Sequence, residues 1–147
     1  TSDRRQRRKV AFVPDSPAFY DDLTADEHLA FVHQANRIDA GEDLSGALME
    51  RIGLAGYGDR LPSLYSRGMR MKLALVMAFA AKPSLLLLDE PHGPLDPGAA
   101  VVLSGMVRDA LDAGTAVLVS CHHDVPGLQP DKVLRLEAGS LIPVRTE

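Results

Sequence analysis

The composition of this chain limits the classes of protein to which it can belong. Its 147 residues are 46% hydrophobic and 24% charged, which is typical of one globular domain and excludes a disordered chain. The formal net charge of -4 argues against a nucleic-acid-binding protein. The single cysteine, Cys121, excludes an internal disulfide and fits a reducing compartment. The longest uninterrupted apolar stretch, Leu73 to Ala81, is shorter than the roughly 18 residues needed to cross a bilayer.

The first predicted strand follows a basic segment. The run from Asp3 to Lys9 contains four arginines and one lysine. Such a run can bind nucleic acid, but we favour a solvated segment that leads into a strand. The strand is predicted at Val10–Val13 and is ended by the turn-forming residues 14–17. Because the chain begins with Thr1 and enters a strand almost at once, we expect it to be a piece of a longer protein.

Residues 15–63 carry helix signals and no strand signal. Thr24 and Glu27 form a capping box that predicts the start of a helix reaching about Arg37. The apolar face of this helix is predicted at Leu29, Phe31, Val32 and Ala35. A second helix is predicted from the spacing of Leu44, Leu48 and Ile52. We therefore expect residues 15–63 to form an inserted α-helical subdomain.

An apolar strand that ends in two acids is the most informative feature of the sequence. A third helix, capped by Ser66, is predicted to run to Lys82 and to lead into Leu85–Leu88. The continuous apolar run predicts a strand of a parallel sheet, which ends at Asp89 and Glu90. Open α/β sheets bind ligands at this edge. One carboxylate there can hold Mg²⁺ and the next can orient or deprotonate water, which is the chemistry of nucleoside triphosphate hydrolysis.

The remaining elements place a second polar strand end beside the first. A helix at Pro97–Asp112 is followed by a strand at 116–121, after which come His122 and His123. Because parallel strands joined by crossovers end at the same edge, we expect Asp89, Glu90 and this histidine pair to meet. Two further short strands, at 132–136 and 140–144, are predicted at an edge of this sheet.

Together, these motifs resemble the ATP-binding subunit of ABC transporters over essentially the whole chain. Residues 64–69 resemble its signature motif, 85–91 its Walker B motif, 93–97 its D-loop and 119–122 its switch-histidine loop. Residues 13–15 resemble its Q-loop. The resemblance implies a partial P-loop NTPase fold of class α/β, with a parallel RecA-like sheet and an inserted α-helical subdomain. Residues 1–14 would form the strand entering the Q-loop, and residues 64–147 the C-terminal part of the RecA-like core.

The resemblance also implies roles for individual residues, with ATP and Mg²⁺ as cofactors. Glu90 would polarise the hydrolytic water, and His122 would contact the γ-phosphate. Asp89 and Asp15 would bind the metal ion. ATP held by a second, head-to-tail subunit would be contacted by Ser66, Arg67, Gly68, Met69 and Asp96. The subunit would hydrolyse ATP to drive transport through transmembrane permease partners. It would lie in the cytoplasm, on the inner face of the cell membrane, and would not bind nucleic acid.

The chain departs from the family pattern at several positions. Its signature reads Tyr-Ser-Arg-Gly-Met rather than Leu-Ser-Gly-Gly-Gln, which resembles multidrug or ABC-2-type exporters and favours export. Asp15 stands where glutamine is usual, and His92 where threonine is more common. The spacing favours His122 over His123 as the switch histidine.

The 147 residues do not contain the phosphate loop of the family. The loop needs G-x-x-x-x-G-K-[ST]. Two glycine pairs have its spacing, but Ala47-Leu48 follows one and Ala99-Ala100 follows the other. In the family this Walker A loop precedes the Q-loop, so we expect an N-terminally truncated chain that hydrolyses no ATP by itself.

Three alternatives remain from the sequence. Residues 89–92 have the D-E-x-H form of helicase-type NTPases, but no second RecA-like domain or basic groove accompanies them. A non-transport ABC ATPase of translation or DNA repair is disfavoured by the exporter-like signature. A non-catalytic regulatory remnant is favoured by Asp15 and the missing loop, and disfavoured by the presence of Glu90 and His122.

Overall fold

A computed structural model describes residues 9–122, 125 and 127–144. Its strands are β1 Val10–Val13, β2 Leu85–Asp89, β3 Ala116–Ser120, β4 Val133–Glu137 and β5 Ser140–Val144. Its helices are α1 Ala25–Asn36, α2 Ser45–Arg51, α3 Arg67–Ala80 and α4 Pro97–Asp112. Single 3-10 turns lie at Ala40–Glu42 and Pro62–Leu64. The order of elements is that of a parallel sheet with helices inserted between its first two strands.

The parallel sheet has β2 at its centre, between β1 and β3. Val13 lies opposite Leu88, which in turn lies opposite Val119, so all three strands end at one edge. The face that carries Leu86 and Leu88 is buried, and it packs into the hydrophobic core with helices α3 and α4. Leu86 itself is fully buried. Packing in the core therefore holds the three strands in the register that brings their ends to one edge of the sheet.

The opposite side of the sheet, here called the open face, carries Val10, Phe12, Leu85, Leu87 and Leu118. Register places these residues on the same side, because directly opposed residues of neighbouring strands point the same way. Phe12 is 59% exposed and Leu118 is 61% exposed. The described residues therefore cover one side of this sheet and leave apolar side chains uncovered on the other.

The predicted capping box at the start of α1 is confirmed, but the predicted buried face of α1 is partly wrong. The Thr24 hydroxyl accepts from the Glu27 N–H, and the Glu27 carboxylate accepts from the Thr24 N–H. Phe31 and Ala35 are exposed, whereas His28 is buried. The His28 ring is held because its Nε2 accepts from the Tyr20 N–H at 3.0 Å and its Nδ1 lies 2.8 Å from the Thr24 carbonyl oxygen.

The buried face predicted for α2 is also partly wrong. Leu44 is the N-cap of the helix and is 47% exposed, so it stands outside the periodic face. The residues that point inward are Ser45, Met49 and Ile52. Their spacing of four and then three residues is that of a helix face. The prediction was right at Ile52, but its first two positions, Leu44 and Leu48, each precede by one residue the positions that are buried.

The prediction that the two C-terminal strands lie at an edge of the parallel sheet is wrong. Within the described residues, β4 and β5 pair only with each other, as an antiparallel hairpin. Ala138 and Gly139 join them with φ of 46° and 80°. Positive φ at both central residues is the conformation of a two-residue hairpin turn. This turn lets the backbone groups of β4 and β5 pair with each other.

Candidate functional site

The strand ends bring the predicted acids and a histidine to one edge of the sheet. Asp89 lies opposite Ser120, whose hydroxyl donates to the Asp89 carboxylate at 2.5 Å. Glu90 Oε1 is 3.3 Å from His122 Nε2. The Glu90 side chain is 29% exposed and that of His122 is 85% exposed. The site is therefore open to a ligand on the side of the histidine.

Glu90 occupies its place at the cost of backbone strain. Its φ is 48°, in the left-handed region that non-glycine residues rarely adopt. The Glu90 N–H donates to the Ser120 carbonyl oxygen at 3.1 Å, which continues the pairing of β2 with β3 by one residue. This conformation turns the chain out of the strand and directs the carboxylate to His122. Such strain is found where surrounding structure fixes a functional side chain.

The start of helix α3 presents two free backbone N–H groups. The Ser66 hydroxyl accepts from the Met69 N–H at 3.2 Å, and the Ser66 carbonyl accepts from the Arg70 N–H. Within the described residues, the N–H groups of Arg67 and Gly68 have no partner, as expected for the first turn of a helix. These donors and the positive end of the helix dipole favour an anion.

Gly68 is required by a close approach of the backbone at Pro94. A Cβ atom added to Gly68 would lie 2.8 Å from the Pro94 carbonyl oxygen, closer than such atoms come in real structures. The segment after β2 is therefore pressed against the first turn of α3.

Replacing Gly68 by alanine is expected to lower the free energy of unfolding by about 1–3 kcal/mol, because the backbone at Pro94 must move. A matched control is Gly46→Ala in α2, where an added Cβ meets nothing within 4 Å. The control is expected to gain about 0.5–1 kcal/mol from helix propensity. Urea unfolding followed by circular dichroism measures both, and equal midpoints for the two variants would contradict the close approach.

Asp96 is held by two contacts within the chain. Its Oδ1 accepts from the Ala99 N–H at 2.9 Å and caps α4, and its Oδ2 lies 3.0 Å from Lys72 Nζ. The backbone hydrogen bond from Ala99, followed by the contact with Lys72, holds the pKa of Asp96 below its ordinary value. Asp96 thus joins α4 to α3, and any contact with a second subunit would be made in addition to these two.

Asp15 and Arg67 form an ion pair that joins the segment after β1 to the first residue of α3. Arg67 Nη2 is 3.1 Å from Asp15 Oδ1, and the Ser16 hydroxyl donates to Asp15 Oδ2 at 3.3 Å. Both carboxylate oxygens of Asp15 are therefore engaged. A metal at Asp15 would have to displace or share these partners.

Comparison with known proteins decides the family. The family model described as ABC transporter matches residues 1–93, which is more than half of the chain. The chain belongs to the ABC transporter family.

Individual ABC proteins resemble the chain over most of its length. The uncharacterized ABC transporter ATP-binding protein YthP of Bacillus subtilis is 32% identical over 134 residues, which cover 89% of this chain and 57% of YthP. The thiamine import ATP-binding protein ThiQ of Rhizobium meliloti is 36% identical over 79% of this chain and 55% of its own. The lipoprotein-releasing system ATP-binding protein LolD of Cereibacter sphaeroides is 31% identical, and the match covers 93% of this chain and 62% of LolD. The chain thus spans a little over half the length of these relatives.

A solved structure confirms the predicted fold class. A chain described as the ATP-binding subunit of an ABC transporter superposes with a TM-score of 0.78 at 30% identity. The match covers 81% of this chain and 50% of that one. The parallel sheet with inserted helices is therefore part of the P-loop ABC ATPase fold.

The membership in the ABC family does not test the roles predicted for individual residues. The predicted roles of Glu90, His122, Asp89, Asp15, Asp96 and the signature residues stay predictions, since a nucleotide contact is what defines them. The choice between His122 and His123 also stays a prediction, because His123 lies outside the described residues. Sequence reasoning missed Ser120 and Lys72. Ser120 could have been found from the register of two strands that both end in polar residues, but no spacing pointed to Lys72.

The described part of this ABC chain offers few metal ligands. Among residues 9–122, 125 and 127–144, no three His, Cys, Asp or Glu side chains are grouped closely enough to hold a metal ion. None of the described helices combines the length and the apolar character needed to span a membrane.

A cavity of the ABC chain lies in the helical region between α1 and α2. It has a volume of about 700 Å³ and is lined by acidic side chains that include Asp26, Asp43 and Asp59. Ser45 Oγ and Asp43 Oδ1 both approach Nε2 of His33, at 2.8 Å and 3.1 Å. A catalytic serine and acid would instead use the two different ring nitrogens, so this cluster is not a hydrolytic triad.

His92, between the Walker B motif and the D-loop, is a polar side chain without partners. Neither ring nitrogen has a hydrogen bond within the described residues. Burial lowers the pKa of His92 below its ordinary 6.5, and the charge of Glu90 opposes this only in part. The folded state therefore prefers the neutral ring.

Replacing His92 by phenylalanine is expected to make stability less dependent on pH. In the parent, the unfolded chain gains a proton before the folded one as the pH falls through 6.5, so stability present above that pH is lost below it. Phenylalanine fills a similar volume and cannot titrate. Urea midpoints at about pH 8 and pH 5 should differ less in His92→Phe than in the parent or in the control His122→Phe, which alters an exposed ring. An unchanged pH dependence in His92→Phe would contradict this account.

Proposed function

We propose that this chain is part of the subunit that binds and hydrolyses ATP in an ABC transporter, and that the transporter exports its substrate. The observation that carries the proposal is the contact of 3.3 Å between Glu90 and His122 at a strand end that also holds Asp89. A carboxylate beside a histidine at this edge of a parallel sheet is suited to orienting water for attack on a phosphate.

The residues of the sheet edge would divide the chemistry among them. Mg²⁺ bound with ATP would neutralise the charge that develops on the phosphates. Asp89, fixed by Ser120, would hold the metal through water. Glu90 would accept a proton from the attacking water, and His122 would donate a hydrogen bond to the terminal phosphate. Asp15 would reach the metal only by leaving Arg67 and Ser16.

The start of α3 would serve a nucleotide bound to a second subunit. Free N–H groups of Arg67 and Gly68, with Ser66 as the cap, are aligned to receive an anion. Met69 follows them in the signature, and Asp96 would complete the contact from the D-loop. This division of the site predicts a head-to-tail dimer, in which each subunit supplies one half of each nucleotide site.

The residues present do not include a complete phosphate-binding site. No stretch of the 147 residues has the form G-x-x-x-x-G-K-[ST]. In the proposed function, the backbone amides and the lysine that hold the phosphates would come from another part of the complete subunit. The matched relatives are correspondingly longer. We propose that the chain alone binds ATP weakly and does not hydrolyse it.

The signature bears on the direction of transport, and the relatives bear on the partners. The Tyr-Ser-Arg-Gly-Met signature supports export. The names of the relatives include thiamine import and lipoprotein release, and so support both directions. Transmembrane permease subunits would receive the work of hydrolysis, with this subunit on the inner face of the membrane.

The test is ATP turnover by the 147-residue chain and by the complete subunit assembled with its permease. We expect turnover by the assembled subunit and none above background by the chain. Turnover by the isolated chain would contradict the division of the site. Permease-dependent accumulation of substrate inside inverted vesicles would support export, and its loss from preloaded inverted vesicles would indicate import.

A second candidate is a regulatory subunit that binds nucleotide without hydrolysis. It is favoured by Asp15, which replaces an uncharged glutamine and is already paired with Arg67. This candidate predicts that the complete subunit binds ATP but shows no turnover. The same assay therefore separates the two candidates.

A further inference from the structure

Lys72, in the second turn of α3, has a largely buried side chain and one acidic partner. The side chain is 15% exposed, and its Nζ lies 3.0 Å from Asp96 Oδ2. Among the residues that the structure describes, no other acid forms an ion pair with Lys72. A charge removed from water is costly unless it is paired. The positions of the ammonium group and of the Asp96 carboxylate therefore depend on each other.

Lys72 and Gly68 present the same face of α3 to residues 91–96, here called the connecting segment. The two residues are four positions apart, and such residues lie one above the other on a helix. A Cβ atom added to Gly68 would lie 2.8 Å from the Pro94 carbonyl oxygen, while Lys72 reaches Asp96. Helix α3 thus contacts the connecting segment at two points.

The connecting segment joins Glu90 to α4 and is bonded within itself. The Gly93 N–H donates to the Glu90 carbonyl oxygen at 3.3 Å, and the Leu95 N–H donates to the His92 carbonyl oxygen at 3.1 Å. Leu95 also packs against the hydrophobic core. Because two successive turns leave the segment little slack, a displacement of Asp96 is passed to the backbone of Glu90.

The backbone of Glu90 is the part of this arrangement that needs support. Its φ of 48° is unfavourable for a residue with a Cβ atom and persists only where neighbouring contacts fix it. On the side of β3, the Glu90 N–H donates to the Ser120 carbonyl oxygen at 3.1 Å. On the side of α4, Asp96 accepts from the Ala99 N–H and contacts Lys72. The contacts that hold the chain around Glu90 therefore include one made by α3.

We propose that Lys72 is a positioning residue for Glu90. By anchoring Asp96 to α3, its ammonium group holds the connecting segment. The segment in turn holds the left-handed backbone from which the Glu90 carboxylate extends toward His122. The effect on turnover rests on the proposed function, whereas the anchoring of the segment does not.

The anchoring is tested in the 147-residue chain by amide hydrogen exchange at Gly93 and Leu95. Lys72→Met removes the charge and keeps an apolar side chain of similar length, and it should speed exchange at both amides about three- to tenfold. Lys72→Arg keeps the charge and should stay within about twofold of the parent rates. Lys82→Met is the control, because it breaks a more exposed ion pair with Glu42 and should leave both amides unchanged.

A second variant removes the other partner of the same contact. Asp96→Ser keeps a capping side chain for α4 and should speed exchange at Gly93 and Leu95 as Lys72→Met does. The carboxyl titration of Asp96, followed by carbon NMR, should show a higher pKa in Lys72→Met than in the parent. This pKa should stay below the ordinary value, because the Ala99 N–H still donates to the carboxylate. Unchanged exchange in both Lys72→Met and Asp96→Ser would overturn the anchoring.

The positioning role is tested in the complete subunit by kcat and by the KM for ATP. Lys72→Met should lower kcat about three- to thirtyfold, because a displaced general base loses part of its effect, and should change KM less than about twofold. Lys72→Arg should bring kcat to within about threefold of the parent. When added to Glu90→Gln, in which the base is already absent, Lys72→Met should lower kcat no further.

Each alternative result has its own meaning. Faster exchange with an unchanged kcat in Lys72→Met would overturn the positioning role, and so would a further loss of kcat in the double variant with Glu90→Gln. A rise in KM alone would also contradict it, since that result places Lys72 in nucleotide binding. Absence of turnover by the parent complete subunit would overturn the proposed catalytic function, while the exchange rates would still decide whether Lys72 anchors the connecting segment.

Discussion

Replacing Glu90 by glutamine is expected to lower the ATP turnover of the complete subunit by about 10²–10⁴-fold, the range for loss of a general base. Glutamine has nearly the same shape and can still contact His122, but it cannot accept a proton from water. Nucleotide binding should persist, because Glu90 lies beside the reacting water and not among the groups that hold the phosphates. Turnover is measured by phosphate release, and binding by equilibrium titration.

The matched control for Glu90 is Glu50→Gln, which makes the same chemical change at an exposed position of α2. This variant should keep the parent turnover. If Glu90→Gln retained turnover within about tenfold of the parent, a role as general base would be contradicted. Loss of both binding and turnover would instead indicate that the residue supports the fold of the site.

The second large effect is expected at the centre of the sheet. Replacing Leu86 by alanine should lower the free energy of unfolding by about 2–5 kcal/mol, because the side chain is fully buried and the surrounding core cannot close over the space. Leu86 is followed after two residues by Asp89, so loosening this strand also loosens the site. Urea unfolding followed by circular dichroism measures the change.

Leu118→Ala provides the comparison for Leu86. It removes the same atoms from a neighbouring strand, but Leu118 lies on the open face and is 61% exposed. Its effect should be within about 0.5 kcal/mol of zero, as at other exposed positions. A large loss at Leu118 would show that the open face is covered in solution, for example by self-association.

The features that the sequence predicted well depend on neighbouring residues. The capping box at Thr24 and Glu27, the cap at Ser66 and the apolar strand at Leu85–Leu88 are each encoded within a few positions. The parallel order followed from helices of crossover length between strands. The pattern of the hairpin at β4 and β5 was also local, but which strands it pairs with depends on distant residues, so its placement was wrong.

The candidate site divides in the same way. The meeting of Glu90 with His122 followed from two strands that end in polar residues at one sheet edge. The contacts of Asp15 with Arg67 and of Lys72 with Asp96 could not be predicted, because the paired residues are 52 and 24 positions apart and belong to different elements. In both pairs a long side chain bridges two elements, and its direction depends on packing that spacing does not encode.

The left-handed backbone of Glu90 has a consequence for how this position can change. A glycine would adopt φ of 48° without the cost of about 1–2 kcal/mol that a residue with a Cβ atom carries there. Stability of the fold therefore favours glycine at position 90, whereas the proposed catalysis requires a carboxylate there. Glu90→Gly is expected to produce a more stable subunit that is catalytically silent, which would make it a suitable form for trapping the dimer with nucleotide bound.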